Sequence, residues 1–360
     1  KGRILMAFEV AESMLGEATV KQLLKYLRDD PEKHLVTLMK WGERLAIDPM
    51  HKQYAKQWGE MFADPDNHWR KLVVRGINQV DPKVLERTGI NMFVNAGILS
   101  PERRRRGEEK YGVHVPWAVL IDPTGRCNLR CKGCWAAEYE RTQDMDYETL
   151  DRVITESEEL GMNFIVVSGG EPLVRADDLI SLAKKHNESV FHIFTNDTWI
   201  TKERARQFAE AANMTFAISI EGFEEQTDAR RGPGVFAKVM EAMDNLKEAG
   251  VPFGFSACYT RENTEIIASD EFIDLMIEKG CLLGWLFTYV PVGGEADLEY
   301  MATPEQRLHM LETVRRWRSE KPIFVPDFWN DGPFVPGCIA GGSNYFHINA
   351  MGAVEPCAFV

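Results

Sequence analysis

Six short apolar runs, each followed by a helical pattern, limit this chain to a few architectures. The runs are WAVLID (117–122), NFIVVS (163–168), VFHIFT (190–195), MTFAIS (214–219), PFGFSAC (252–258) and LGWLFTYV (283–290). Between them stand YETLDRVITESEEL, ADDLISLAKKH, KERARQFAEAA, VFAKVMEAMDNLKEA and EFIDLMIEK, with apolar residues at three- and four-residue steps. Strands alternating with helices of this length build parallel sheets. Nearly continuous apolar strands suit a sheet covered on both faces. A doubly wound open sheet and a barrel-like curl both satisfy that pattern. No shorter repeat underlies the alternation.

The flanks differ. Residues 1–110 carry helical periodicity, as in TVKQLLKYL and HLVTLMKWGERL. PERRRRGEEKYG (101–112) reads as an exposed, charged connection, and its arginines suit a solvated linker better than contact with anionic lipid or phosphate. After residue 320, PDFWNDGPFVPGC is loop-like, and NYFHINAMGAVEPC reads as two short strands around Met351-Gly352. A length of 360 residues accommodates the three units this suggests, 1–114, 115–320 and 321–360. The net charge of −13 argues against nucleic acid as a partner. The longest apolar run, INMFVNAGIL (90–99), is shorter than the roughly 20 residues of a transmembrane span. No signal peptide opens the chain. Lys1 in place of methionine, and an apolar stretch cut at Val360, are what trimmed ends would show. Seven cysteines, three of them clustered, form a poor disulfide framework and point to a reducing cytoplasm.

Those three are Cys127, Cys131 and Cys134, directly after the first strand. Soft thiolates hold iron–sulfur clusters, and strand C-terminal ends are where α/β barrels place active sites. Three ligands leave a fourth position open; a zinc knuckle completed by a distant residue would use the same three. Ser168-Gly169-Gly170-Glu171-Pro172 follows the second strand. Its glycines permit close backbone approach, and Glu171 can accept from an ammonium group. The same five residues also suit a plain turn. None of the eight histidines pairs at metal-binding spacing, and His192 reads as core or pocket wall. Thr195, Asn196 and Ser256 fall where a pocket would be lined. Tyr259, Trp285, Tyr289, Asp327, Trp329 and Asp331 lie near predicted strand ends or in the late loop. Cys258 and Cys281 read as core.

Taken together over roughly residues 115–300, the cysteine triplet and the GGEP segment resemble the radical S-adenosylmethionine (radical SAM) enzymes. The resemblance implies an α/β fold: a partial (β/α)6 TIM-like barrel with an N-terminal helical domain and a small C-terminal extension. It implies that Cys127, Cys131 and Cys134 hold a [4Fe–4S] cluster. The open iron of such a cluster is chelated by the amino and carboxylate groups of S-adenosylmethionine. Gly169, Gly170 and Glu171 match the family's GGE element, which contacts the methionine amino group. Ser219, in Ser219-Ile220-Glu221-Gly222, stands where relatives carry a similar element beside the cofactor. Arg231, with Arg230 as the neighbour it could be confused with, matches the arginine that meets the cofactor carboxylate. Asn196 and Ser256 join this set by position. One departure is visible: Gly133 stands where the family usually has an aromatic residue, and Trp135 follows the third cysteine. Cys338 and Cys357, around Gly352, resemble the opening half of a SPASM or twitch extension, which binds auxiliary iron–sulfur clusters. The further ligands of such an extension are missing, and two ordinary buried cysteines are the other reading.

The resemblance further implies the reaction. A one-electron donor such as flavodoxin or ferredoxin reduces the cluster, and S-adenosylmethionine is cleaved to a 5′-deoxyadenosyl radical. The radical takes hydrogen from an unactivated carbon of a peptide, protein or lipid, in an anaerobic cytoplasm. A radical this reactive requires a dry pocket, covered by the N-terminal helices or the late loop. A cluster-bearing electron carrier or regulatory protein is the alternative, although neither needs GGEP or the arginine after the fourth strand.

Overall fold

A computed structural model describes residues 2–46, 49–137, 142–293, 296–335 and 338–359, with the side chains of 2–15 and 51 left aside. Lys1 and Val360, read above as cut ends, lie outside the described residues. Eight strands form one sheet: β1 (Ala118–Ile121), β2 (Phe164–Val167), β3 (Val190–Thr195), β4 (Met214–Ser219), β5 (Phe253–Tyr259), β6 (Gly284–Thr288), β7 (Tyr345–Ile348) and β8 (Val354–Glu355). Their order is β6-β5-β4-β3-β2-β1-β7-β8. The first six are parallel, and each lies beside its neighbour in sequence. A doubly wound sheet reverses direction at a switch point. The β1–β6 order has none, so the sheet is the partial barrel.

Side chains alternate across each strand. Val119, Ile121, Ile165, Val167, Phe191, Ile193, Phe216 and Ile218 face outward and form one core with the surrounding helices. The alternate positions, including Leu120, Val166, Phe194 and Phe287, line an interior cavity. Some of the helices that connect the strands begin on side-chain caps: Asp146 accepts from the Thr149 amide, Thr201 from Arg204 and Ser269 from Phe272.

The charged stretch read as a connection is a helix, Ser100–Tyr111, ended by Gly112 in the left-handed region. Arg105 pairs with Glu102 and Glu109 along its exposed side, and Arg104 donates to the Gly161 carbonyl (3.2 Å). Same-face pairs at three- and four-residue spacing support a helix that composition alone disguises. INMFVNAGIL is wound as a π-helix, Ile90–Leu99. Asn91 donates to the Ser189 carbonyl (2.9 Å), and Arg75 to the carbonyls of Cys281 (2.8 Å) and Pro322 (2.7 Å). Gln79 donates to the Gly280 carbonyl (2.8 Å), and the Asp81 amide to that of Gly250 (2.8 Å). Apart from Pro322, these acceptors sit just before β3, β5 and β6. The N-terminal helices therefore cover the N-terminal end of the strands, opposite the end that carries the cysteine loop. No described helix is long and apolar enough to cross a membrane.

The late strands form the expected hairpin, with Gly352 at φ +82° in its turn. β7 also pairs in parallel with β1, so the tail extends the main sheet. His347 on β7 is enclosed by two carboxylates, Asp122 after β1 (2.7 Å) and Glu355 on β8 (2.7 Å). Burial opposes the imidazolium charge, but these two partners outweigh it and raise the His347 pKa above 6.5. A raised folded-state pKa contributes stability that is complete below the unfolded value of about 6.5 and is lost as pH rises through the folded value. Urea midpoints are therefore expected to fall as pH rises from about 6.5. His186, also raised by two carboxylates, adds to the same slope. His347→Gln should remove its own share, and a variant profile parallel to that of the parent would refute the pairing.

Candidate functional site

The cysteine loop is seated on the segment that follows β2. Ser168 donates its amide to Ile121 (3.0 Å), Gly170 to Thr124 (3.0 Å) and Glu171 to Arg126 (2.7 Å), all at backbone carbonyls. Gly169 has φ +107°, and a Cβ there would lie 2.7 Å from the Thr124 oxygen. A Cβ on Gly170 would collide with the Arg126 carbonyl. These two glycines thus let two loops close on each other. Gly133, at φ +63°, leaves room for the Tyr289 ring, which would stand 2.7 Å from any Cβ there. The aromatic packing on this loop comes from the end of β6.

Glu171 is almost fully buried. Its carboxylate accepts from the Leu173 amide (2.9 Å), the Thr195 hydroxyl (2.7 Å) and the Asn196 amide (2.7 Å). Burial pushes its pKa up, against those three donors. The Asn196 side-chain amide then reaches the Cys127 sulfur (3.8 Å) and Asn128 Oδ1 (2.9 Å). Beneath it, Asp197 is held at φ +67°. One of its oxygens accepts from the Ser219 amide (3.1 Å), while the other is buried with no partner among the described residues. Burial first, and the neighbouring Glu171 second, hold Asp197 well above the usual carboxylate range.

Glu221, after β4, has no exposed surface. It accepts from Arg230 (2.5 Å), from Arg231 through Nε (2.9 Å) and Nη2 (2.5 Å), and from the Cys258 amide (3.2 Å). Arg230 also donates to the Lys132 carbonyl (3.2 Å), and the Lys132 amide donates back to that of Arg230 (2.9 Å). This closes the second side of the cysteine loop. Burial opposes the Arg231 charge, and the Glu221 carboxylate outweighs it.

Glu171, Asn196, Arg230 and Arg231 share the wall of one cavity of about 310 Å³ inside the half-barrel, with Asp197 and Glu221 behind it. Cys127, Cys131, Cys134, Gly169, Gly170, Glu171, Asn196, Ser219, Arg230, Arg231 and Ser256 all line it, so every site residue expected from the first two motifs is brought to one place. Cys258, read as core, lines it too; its alternation with Ser256 along β5 was the available signal. Trp285, Tyr289, Trp329 and His192 face the cavity, whereas Tyr259, Asp327 and Asp331 do not line it. Cys338 and Cys357 stand just outside, but their neighbours Ile339, Ala358 and Phe359 contribute to the wall. The late loop is therefore the cover; among the described residues none before Trp117 lines the cavity.

The donor set can be tested against an iron–sulfur cluster. Among the described residues no three His, Cys, Asp or Glu side chains converge on one ion-sized point. A cluster gives each thiolate its own iron, and three thiols spread along one wall suit that. Burial pushes the Cys127 thiol up to about 11 and also raises Cys131. Thiolate formation there would accompany metal binding, which displaces the protons. The Leu129 amide donates to the Cys127 sulfur (3.4 Å). The same turn recurs at Cys338, from Ala340 (3.4 Å), and at Cys357, from Phe359 (3.3 Å).

Residues 121–273 match the Radical SAM superfamily. The chain is 31% identical over 276 residues to the mycofactocin maturase MftC of Mycobacterium tuberculosis, covering 73% of this chain and 69% of that protein. It is 26% identical over 277 residues to the AdoMet-dependent heme synthase of Nitratidesulfovibrio vulgaris, covering 68% and 73%. Its fold is similar to that of Streptococcus suis SuiB bound to S-adenosylmethionine, with a TM-score of 0.59 at 17% identity, over 72% of this chain and 65% of that one.

Removing Glu221 would leave two buried guanidinium groups without their carboxylate. Glu221→Ala is expected to lower unfolding stability by about 3–5 kcal/mol, measured by urea titration. Glu221→Gln, which keeps an acceptor, should lose less. A change within about 0.5 kcal/mol for the alanine variant would contradict this pairing.

Proposed function

This chain belongs to the radical SAM superfamily, and from that premise we propose that it reductively cleaves S-adenosylmethionine at a [4Fe–4S] cluster to give a 5′-deoxyadenosyl radical that abstracts hydrogen from an unactivated carbon. The observation that carries the proposal is the convergence of three thiols, the Gly169-Gly170-Glu171 segment and Arg231 on one cavity wall. Cys127, Cys131 and Cys134 would be the cluster ligands. Arg231 would present its remaining N–H groups to the cofactor carboxylate while Glu221 holds it in place. Glu171 would fix the β2 and β3 ends around the methionine amino group, with Ser219, Asn196 and Ser256 along the adjoining wall. Arg230, tied to the Lys132 carbonyl, would serve as a positioning residue for the loop. The late loop would exclude water.

A flavodoxin or ferredoxin in an anaerobic cytoplasm would be the electron donor. Residues 115–320 would form the catalytic unit, and residues 1–114 a plate beneath it. Cys338 and Cys357, with their N–H···S turns, would begin an auxiliary cluster site. The relatives' names divide over substrate. PqqA peptide cyclase points to a peptide, and heme synthase to a porphyrin. The substrate of this chain would be a peptide, a protein or a lipid. An electron carrier has no use for the Glu221–arginine pair at the cavity wall.

Protein reconstituted without oxygen should contain about four irons per chain, or more. With S-adenosylmethionine and dithionite it should release 5′-deoxyadenosine, and Cys131→Ala should reduce this to background. Equal product from parent and variant, or stoichiometric zinc without iron, would overturn the proposal. Replacing both Cys338 and Cys357 by serine should lower iron content while leaving the first cluster's spectrum unchanged. Unchanged iron would remove the auxiliary site.

A further inference from the structure

The cavity does not end at the cysteines. It continues between the strands towards their N-terminal ends, past Leu120, Phe164, Val166, Phe194, Trp285 and Phe287. Phe164 and Ala118 are the first residues of β2 and β1, and Trp117, 43% exposed, stands beyond them. Aromatic packing lines this inner reach and carries on into the late loop. Phe287 meets Phe328 at 5.2 Å between ring centres, and Trp329 meets Phe359 at 5.3 Å.

The ring nitrogens of the inner reach are used up internally. The Trp285 indole N–H donates to His192 Nε2 (3.1 Å). An indole nitrogen can only donate, so His192 Nε2 accepts and its proton sits on Nδ1, which donates to the Thr215 hydroxyl (2.8 Å). Burial lowers the His192 pKa to about 4 and keeps the ring neutral. Apart from the Ser256 hydroxyl, level with Trp285 in the strand register, what this stretch presents inward is therefore carbon. Polar groups return at the two ends: Ser168, Ser219 and Arg231 at one, Asn344 and Tyr345 at the other.

A peptide carries a donor and an acceptor at nearly every residue, and their burial without partners is unfavourable. A hydrocarbon chain has no such demand. We propose that the inner reach is a channel for an extended hydrocarbon chain, as in a fatty-acyl lipid, which brings an unactivated methylene towards the cysteine end. The proposal rests on the radical reading above only for what happens to that methylene.

Four cavity tryptophans, Trp117, Trp135, Trp285 and Trp329, provide a binding signal independent of the chemistry. Fully reconstituted protein would be titrated, without oxygen, with terminally brominated hexanoate, octanoate, decanoate and dodecanoate, and quenching of tryptophan fluorescence followed. Affinity is expected to rise about fourfold per added methylene, equivalent to about 0.8 kcal/mol, until the channel is full. Ala118→Phe, which narrows the channel, should bring the plateau to a shorter chain. Trp285→Phe, which keeps the ring but frees the His192 acceptor, should weaken the longer chains selectively. Affinity indifferent to chain length, or tighter binding of a brominated peptide of matching length, would overturn the channel. If 5′-deoxyadenosine forms with no length dependence, the substrate class fails and the radical reading stands. If length dependence appears without 5′-deoxyadenosine, the channel stands and the radical reading fails.

Discussion

Two backbone hydrogen bonds, from Gly170 to Thr124 and from Glu171 to Arg126, fasten the cysteine loop to the end of β2. The geometry of the site depends on that seam. It forms only if residues 169 and 170 bring no Cβ between the two loops. Glu171 then turns its buried carboxylate to Thr195 and Asn196, so one residue joins the loop after β1 to the ends of β2 and β3. Asn196 carries the connection back to Cys127.

Two further knots complete the rim. Glu221 draws Arg230 and Arg231 against the other side of the cysteine loop, while His347 ties the late hairpin to Asp122 at the loop's origin. Both place charge where water is scarce, and such pairs are strongly destabilising to break. The N-terminal helices add rigidity from beneath by donating to the backbone of the loops that enter the strands. The result is a stiff polar rim over an aromatic interior, an arrangement suited to a reactive species that must be kept from solvent.

Much of this was legible in the sequence, for identifiable reasons. The six strands showed as apolar runs because both faces are covered. That same two-sided apolarity hid which side chains face inward, so the aromatic channel could not be read. Periodicity also left the closure open, since a doubly wound sheet and a barrel use the same runs; the family resemblance indicated the barrel, and strand order decided it. The pairing of β7 with β1 joins residues more than two hundred apart, beyond the reach of any local pattern. The helix at Ser100–Tyr111 was disguised by its charges, which pair along one side. Gly169 and Gly170 drew attention as a way to approach a ligand; the structure uses them to let two loops meet. Gly133 marked a departure from the family, and Tyr289 fills the space it leaves.

The central claim is that three thiolates on this wall leave one iron open to the cavity beside Arg231. Electron–nuclear double resonance of the reduced, reconstituted protein, with S-adenosylmethionine labelled at its carboxylate and amino group, tests this at the atoms concerned. The account predicts magnetic coupling of both labels to the cluster, with the carboxylate coupling altered or lost in Arg231→Ala. An iron–sulfur signal that S-adenosylmethionine leaves unchanged, with no coupling to either label, would contradict it.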